Sequence, residues 1–173
     1  MSNPMLDLLL TRRSVKPAEM SSPGPEPQQL ELILRAASRV PDHKKLTPWR
    51  FIVFEGDGRN RFGQVLADAL VAEDKERPSD FRLESESKRL LDAPTVVAVI
   101  SRVTPGVPGA PEWEQILSAG AAAFNLCLAA NSFGFATNWL TGWYSYSPFV
   151  GRALKLSEHE RIAGFVYIGT AKA

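Results

Sequence analysis

Apolar residues recur with a helical period in several stretches of the chain. In residues 27–39 they fall at the i, i+3, i+4, i+7 spacing of one helix face. Residues 113–133 are hydrophobic on nearly every side, which predicts the main core helix, and Gly134 is expected to end it. Shorter apolar segments predict three further helices, over residues 4 to about 12, 59–71 and 148–154.

Runs of β-branched and aromatic residues predict the strands. Residues 49–54 form one such run, and residues 95–100 form a continuous run typical of a central strand covered on both faces. A short strand is expected at 137–140 and a last strand at 162–168. Three or four strands that do not alternate regularly with helices fit a doubly wound fold poorly. We therefore expect a single α+β domain over residues 1–173, with helices packed as a sandwich around a small mixed or antiparallel sheet.

The segments between these elements differ in character. Residues 21–27 and 105–111 are rich in proline and glycine and predict loops, as does the polar segment 40–48. Residues 72–92 are strongly charged with scattered apolar positions. We expect this charged stretch to be an exposed and partly helical excursion.

Composition and charge exclude several classes of protein. The chain has 173 residues, and 45% of them are hydrophobic, which suffices for one buried core. Twenty Lys and Arg residues against nineteen Asp and Glu residues leave a net charge of +1, so no overall field favours nucleic acid or an anionic membrane. The most apolar stretch, 119–136, carries asparagines that a lipid-exposed helix would have to satisfy internally. Neither nucleic acid nor a membrane is expected as a partner.

The cysteine content and the first residues of the chain indicate the cellular compartment. The lone Cys127 cannot form a disulfide within the chain. The first residues do not show a basic region that leads into an uninterrupted apolar stretch. We therefore expect a cytoplasmic protein.

Common catalytic motifs are incomplete. The dinucleotide fingerprint needs a third glycine where Arg61 stands, and the phosphate-loop motif has Gln64 in place of its lysine. A zinc-protease pattern that begins at His159 has Ala163 at its second ligand position. Cys127 lies in the most apolar predicted helix, where a thiol usually packs rather than reacts. We expect no metal site and no catalytic acid, base or nucleophile.

A basic cluster follows the first predicted helix. Arg12, Arg13, Ser14 and Lys16 offer guanidinium, hydroxyl and ammonium donors within five positions. Such donors suit a phosphate group. Cations also stabilise the C-terminal end of a helix without any ligand, so both interpretations stay open for the cluster alone.

Two other segments carry polar groups beside apolar ones. The basic segment that includes Arg39 and His43 precedes the aromatic strand 49–54, and taken alone it is typical of a solvated loop. The small residues of 120–126 allow close packing by a helix or a ligand. Asn125 among them needs a hydrogen-bond partner if it is buried, and a structural partner is expected.

Taken together, and in their order along the chain, these segments resemble the nitroreductase family of FMN-dependent NAD(P)H oxidoreductases, especially its small YdjA-like branch. The matching patterns span nearly the whole chain: Arg-Arg-Ser at 12–14, Pro-Trp-Arg-Phe at 48–51, the helix from Trp113, the segment 134–141 and Tyr-Ile-Gly-Thr at 167–170. The resemblance implies an obligate homodimer with FMN at the subunit interface. It also implies hydride transfer from NAD(P)H through FMN to a small acceptor such as a nitroaromatic or a quinone.

The resemblance also implies which residues contact the flavin. Arg39 and His43 would reach the flavin of the neighbouring subunit, and the full set of implied contacts is Arg12, Arg13, Ser14, Lys16, Arg39, His43, Trp139, Leu140 and Thr141. Relatives continue beyond Gly-Thr with a proline and a basic residue near the phosphate. Here either Lys172 substitutes for that residue or the contact is absent. A flavin-binding protein without turnover, or another activity of the family such as dehalogenation or flavin remodelling, stays open as an alternative.

Overall fold

A five-stranded sheet lies at the centre of the computed structural model, which describes residues 3–172. Its paired strands are all antiparallel, in the order β1-β5-β3-β2, with β4 also paired to β5. The strands are β1 (Met20–Ser21), β2 (Trp49–Phe54), β3 (Thr95–Arg102), β4 (Ala136–Leu140) and β5 (Glu160–Ala171). The sheet is therefore antiparallel rather than mixed, apart from one isolated parallel bridge between Ser14 and Thr137.

The predicted central strand is confirmed. β3 lies between β2 and β5, and its residues 95–100 are at most 1% exposed. The strands differ from the prediction in two details. The last strand is longer than 162–168, because β5 pairs with β3 along one edge and with β4 and β1 along the other. β1 was missed because two residues are too short for a periodic pattern.

Within residues 3–172, six α-helices surround the sheet: α1 (Pro4–Thr11), α2 (Pro27–Ala37), α3 (Asp57–Glu73), α4 (Asp80–Ser87), α5 (Glu112–Ser132) and α6 (Pro148–Ala153). Local capping explains two of their ends. The Asn3 side chain accepts a hydrogen bond from the Leu6 amide at 3.2 Å and begins α1. Gly134 follows α5 with a φ of +86°, and the Phe135 amide donates to the Ala130 carbonyl at 3.2 Å. Gly134 thus ends the long helix as expected.

Alternate residues of β3 and β5 point to opposite faces of the sheet, and helices cover both faces. On one face α3 packs with the segment around Tyr144, and the buried residues there include Phe62, Leu66, Val96, Ala98, Ile100, Tyr144, Phe165 and Tyr167. On the other face α2 and α5 pack, and the buried residues include Ile33, Ala37, Val97, Val99, Ala123, Leu126, Val166 and Ile168. This arrangement is the α+β sandwich that the sequence predicts.

The charged stretch 72–92 is mostly exposed and partly helical, as expected, but it also packs on the core at a few positions. α4 packs on α3 so closely that a Cβ at Gly63 would lie 1.9 Å from the Ser87 carbonyl oxygen. Behind it Glu86 and Leu90 are 6% and 0% exposed. Burial of Glu86 is possible because both its carboxylate oxygens accept hydrogen bonds from the Arg89 guanidinium. The number of charged residues in the sequence does not reveal that Glu86 and Arg89 pair in this way.

Two helices present apolar side chains that the chain itself leaves exposed. None of the α1 residues is buried, and α5, although predicted as a core helix on all sides, is buried on one side alone. The exposed side chains are Met5, Leu6, Leu9 and Leu10 of α1, and Trp113, Ile116, Leu117 and Phe124 of α5. Within residues 3–172, no helix combines the length and the apolar character needed to cross a membrane.

Candidate functional site

The basic segment 12–16 lies along the edge strand β4. The Val15 amide donates to the Thr137 carbonyl at 3.1 Å, and the Asn138 side-chain amide donates to the Val15 carbonyl at 2.8 Å. Ser14 and Thr137 form the parallel bridge. The structure therefore brings the first basic cluster next to the segment 134–141, although more than 100 residues separate them along the chain.

Arg12 is the most enclosed member of this cluster. Its guanidinium carbon lies 5.9 Å from the centre of the Phe124 ring on α5, and its Nη2 lies 3.4 Å from the Ser14 hydroxyl. The Arg12 Nε is buried and has no hydrogen-bond partner in the described part of the chain. Since an unpaired buried donor costs about 1–3 kcal/mol, this N–H suits an acceptor group that is supplied from outside. Arg13, Ser14 and Lys16 are exposed beside it.

Polar side chains under this cluster fix the turn between α5 and β4. The Asn131 amide nitrogen donates to the Phe135 carbonyl at 2.8 Å and to the Thr137 hydroxyl at 3.2 Å. Cys127 lies near them and is 6% exposed, and burial raises the pKa of its thiol to about 11. Such a thiol is a packing group, as expected. Asn131 and Asn138 were not identified as site residues; the sequence signal was a polar amide within an apolar segment.

Trp139, Leu140 and Thr141 lie at the far end of β4. Trp139 is 39% exposed, and its Nε1 donates to the Ala163 carbonyl of β5 at 3.1 Å. Leu140 packs partly buried against the core, whereas Thr141 is exposed. Trp139 also lines an open cavity of about 660 Å³ together with Ile116, Leu117, Gly120, Arg161 and Ala163. Cavities of this size accommodate a small organic molecule.

Arg39 and His43 belong to a second group, in the segment 36–43 that packs against α5. Ser118 of α5 donates to the Pro41 carbonyl at 2.8 Å, and Asn125 donates to the Ala36 carbonyl at 2.6 Å. The expected structural partner of Asn125 is thus present. No hydrogen bond or ion pair within residues 3–172 links Arg39 or His43 to the segment 12–16. One chain therefore carries two groups of predicted site residues, and no hydrogen bond or ion pair among the described residues joins them.

Lys172 lies against the chain that follows Lys16. Its ammonium donates to the Ala18 carbonyl at 2.7 Å, and its amide donates to the Glu19 carbonyl at 2.8 Å. These bonds fix the residue that follows β5 to the segment 18–19, a few residues after the basic cluster. Across the described residues, no group of three or more His, Cys, Asp or Glu side chains is arranged to hold a metal ion.

Comparisons with known proteins identify a family model and relatives that are similar to this chain. A family model described as "Nitroreductase family" matches residues 9–170. An Escherichia coli K12 protein named "Putative NAD(P)H nitroreductase YdjA" is 38% identical over 172 residues, which cover 95% of this chain and 87% of that protein.

Two solved structures have the same fold. A nitroreductase-like family protein from Bacillus cereus superposes with a TM-score of 0.82 at 25% identity and covers 100% of this chain and 88% of its own. A nitroreductase with bound FMN from Bacteroides fragilis gives a TM-score of 0.71 at 23% identity, with 99% and 90% covered.

Proposed function

The chain belongs to the nitroreductase family of oxidoreductases, and from that premise we propose that it binds FMN and passes a hydride from NAD(P)H to a small acceptor. A nitroaromatic or a quinone is the acceptor class that we propose. The family membership confirms the resemblance seen in the sequence. The cofactor, the direction of transfer and the contacting residues of this chain are the proposal.

The buried, unpaired Nε of Arg12 is the observation that carries the proposal. It faces no acceptor in the described part of the chain, while Ser14 and Lys16 beside it are exposed and add a hydroxyl and an ammonium donor. A phosphate or carbonyl oxygen from a ligand would satisfy all three groups. The donor set therefore fits the anionic and hydrogen-bonding groups of FMN. Lys172, close to the same edge, is the proposed substitute for the basic residue that relatives carry after Gly-Thr.

A homodimer would complete the site. Arg39 and His43 form no hydrogen bond or ion pair with Arg12 within the described residues, and the apolar faces of α1 and α5 are exposed. Pairing two copies through these faces would bury them and bring the second group of one copy toward the first group of the other. We propose that the flavin lies at this interface.

When bound, FMN supplies the hydride and electron chemistry. The side chains of this protein then need to bind, orient and tune it. The cations of Arg13 and Lys16 would stabilise negative charge at the edge of the ring that they face. Trp139, fixed to the Ala163 carbonyl, would pack against the ring or the acceptor. No nucleophile is required, in keeping with the raised pKa of Cys127.

Two further properties are part of the proposal. We take residues 1–173 as one domain, because both helical layers pack on the same sheet. We also propose a cytoplasmic location, because the lone Cys127 suits a reducing compartment.

A double variant of the basic cluster tests the proposal. Arg12→Ala with Ser14→Ala should lose FMN in dialysis while the far-ultraviolet circular dichroism stays that of the parent. The matched control is Arg35→Ala, which removes an exposed guanidinium from α2. The control should keep FMN. A double variant that stays yellow with unchanged affinity would contradict the proposed site.

A further inference from the structure

One face of α5 carries a row of polar side chains directed at residues 36–43. Glu114, Ser118 and Asn125 are spaced at i, i+4 and i+11, so they share one side of the helix. Ser118 and Asn125 bind backbone carbonyls of that segment at 2.8 and 2.6 Å. Glu114 differs from them, because it contacts a side chain. The row therefore fixes the path of the segment and, at one end, the ring of His43.

The contact of Glu114 specifies the proton position on His43. The His43 Nδ1 lies 2.8 Å from a carboxylate oxygen of Glu114. An ionised carboxylate can only accept hydrogen bonds, so Nδ1 must carry the proton. The other ring nitrogen, Nε2, is then left for a ligand. Both side chains are about half exposed, at 51% and 50%, so a ligand can reach the ring.

The loop after His43 is also held in place. Three of its residues other than glycine have left-handed backbone angles, which persist only where other contacts stabilise them. The Asp42 carboxylate supplies such contacts by accepting hydrogen bonds from the amides of Leu46 and Thr47, each at 2.9 Å. The left-handed residues are Lys44, Lys45 and Thr47, with φ of 62°, 56° and 49°. With the backbone fixed, the rotation of the His43 imidazole ring and its tautomer can still vary.

We propose that Glu114 is a positioning residue, which holds His43 in the Nδ1–H tautomer and so presents Nε2 to the flavin bound by the neighbouring copy. As a neutral ring, His43 accepts a hydrogen bond at Nε2 from a hydroxyl or ring N–H of the flavin. This inference rests on the proposed function for the ligand, but the Glu114–His43 contact exists without it. The two parts can therefore be measured separately.

Nitrogen-15 NMR of the imidazoles measures the first part without any ligand. The chain has two histidines, so a His159→Gln variant gives imidazole signals from His43 only. At pH 9, where imidazole side chains are neutral, this parent should show the proton on Nδ1. Glu114→Ala should shift the ring toward Nε2–H, the form that an unconstrained imidazole favours. Glu114→Gln should restore Nδ1–H, because its amide oxygen accepts.

A matched control removes a carboxylate from the same helical turn. Glu112→Ala should leave the His43 tautomer unchanged. A parent spectrum with the proton mainly on Nε2, or equal shifts for Glu112→Ala and Glu114→Ala, would overturn the proposal. These outcomes do not depend on FMN.

FMN affinity measures the second part. Glu114→Ala should weaken FMN binding about 5-fold, the effect of one hydrogen bond of ordinary strength. In a His43→Ala background the same change should have no further effect, and Glu114→Gln should restore most of the affinity in the parent. Independent, additive losses would overturn the positioning role. If the parent binds no FMN, the proposed function is wrong, and the tautomer alone decides whether Glu114 holds His43.

Discussion

Replacing Gly164 by alanine tests how β5 fixes Trp139. Gly164 has a φ of +153°, and an added Cβ would lie 2.1 Å from Trp139 Nε1 and 2.9 Å from the Leu140 carbonyl oxygen. The indole would have to leave its place and lose its hydrogen bond to the Ala163 carbonyl. Backbone strain of about 1–3 kcal/mol and a lost hydrogen bond of about 1 kcal/mol together predict destabilisation by about 3 kcal/mol.

Urea unfolding at fixed protein concentration measures this change. In thermal unfolding, the same loss of about 3 kcal/mol would lower the Tm by about 6–12 °C for a chain of this size. The control is Gly58→Ala in α3, where the nearest atom to the added Cβ is Arg61 Nη2 at 3.9 Å. The free energy of unfolding of the control should equal that of the parent or exceed it slightly, since alanine favours helix formation more than glycine does. A Gly164→Ala variant within 1 kcal/mol of the parent, with unchanged tryptophan fluorescence, would refute the reasoning.

Three other predictions concern packing, charge and the thiol. Gly63→Ala should cost about 2 kcal/mol in urea titration, because the Cβ would meet the backbone of Ser87 at 1.9 Å. Arg50→Ala should destabilise by about 2 kcal/mol at pH 7, because it leaves the largely buried Glu160 carboxylate, now paired at 2.6 and 3.0 Å, without its cation. The Arg50 contact lowers the pKa of Glu160, so this stabilisation is complete above the ordinary carboxyl value of 4.5 and is lost as the pH falls through the lowered pKa. Native Cys127, with a pKa of about 11, should be only about 0.1% thiolate at pH 8 and should alkylate far more slowly than in denaturant.

Each of these predictions has a contrary result. Equal stability of Gly63→Ala and the parent would contradict the close contact between α3 and α4. A cost of Arg50→Ala that is the same at pH 3 as at pH 7 would contradict the ion pair as its source. Alkylation of Cys127 at the same rate in native and denatured protein would contradict its burial.

Local patterns predicted most of the elements. The continuous run 95–100 indicated the central strand, and the five helices for which bounds were predicted begin and end within two residues of them; α4 had no predicted bounds. Where a contact between distant segments decides the structure, patterns were insufficient. β1 exists because Met20 and Ser21 pair with Ala171 and Thr170, and α4 packs closely on α3 because Gly63 has no side chain.

The same limit applies to the site. Spacing showed that residues 12–16 could hold an anion, but their place beside β4 depends on strand pairing and on Asn138, which binds the Val15 carbonyl. The family resemblance supplied the combination of these segments. It did not indicate that Arg12 Nε is buried without a partner or that Glu114 contacts His43. Both facts depend on side-chain packing across α5.

The most direct test of the central proposal is the visible spectrum of the purified protein, saturated with FMN and dialysed, before and after anaerobic NADH or NADPH. The account predicts a yellow protein whose flavin band bleaches with one of the two nucleotides and returns when a quinone or a nitroaromatic is added. A colourless protein that takes up no FMN would contradict it.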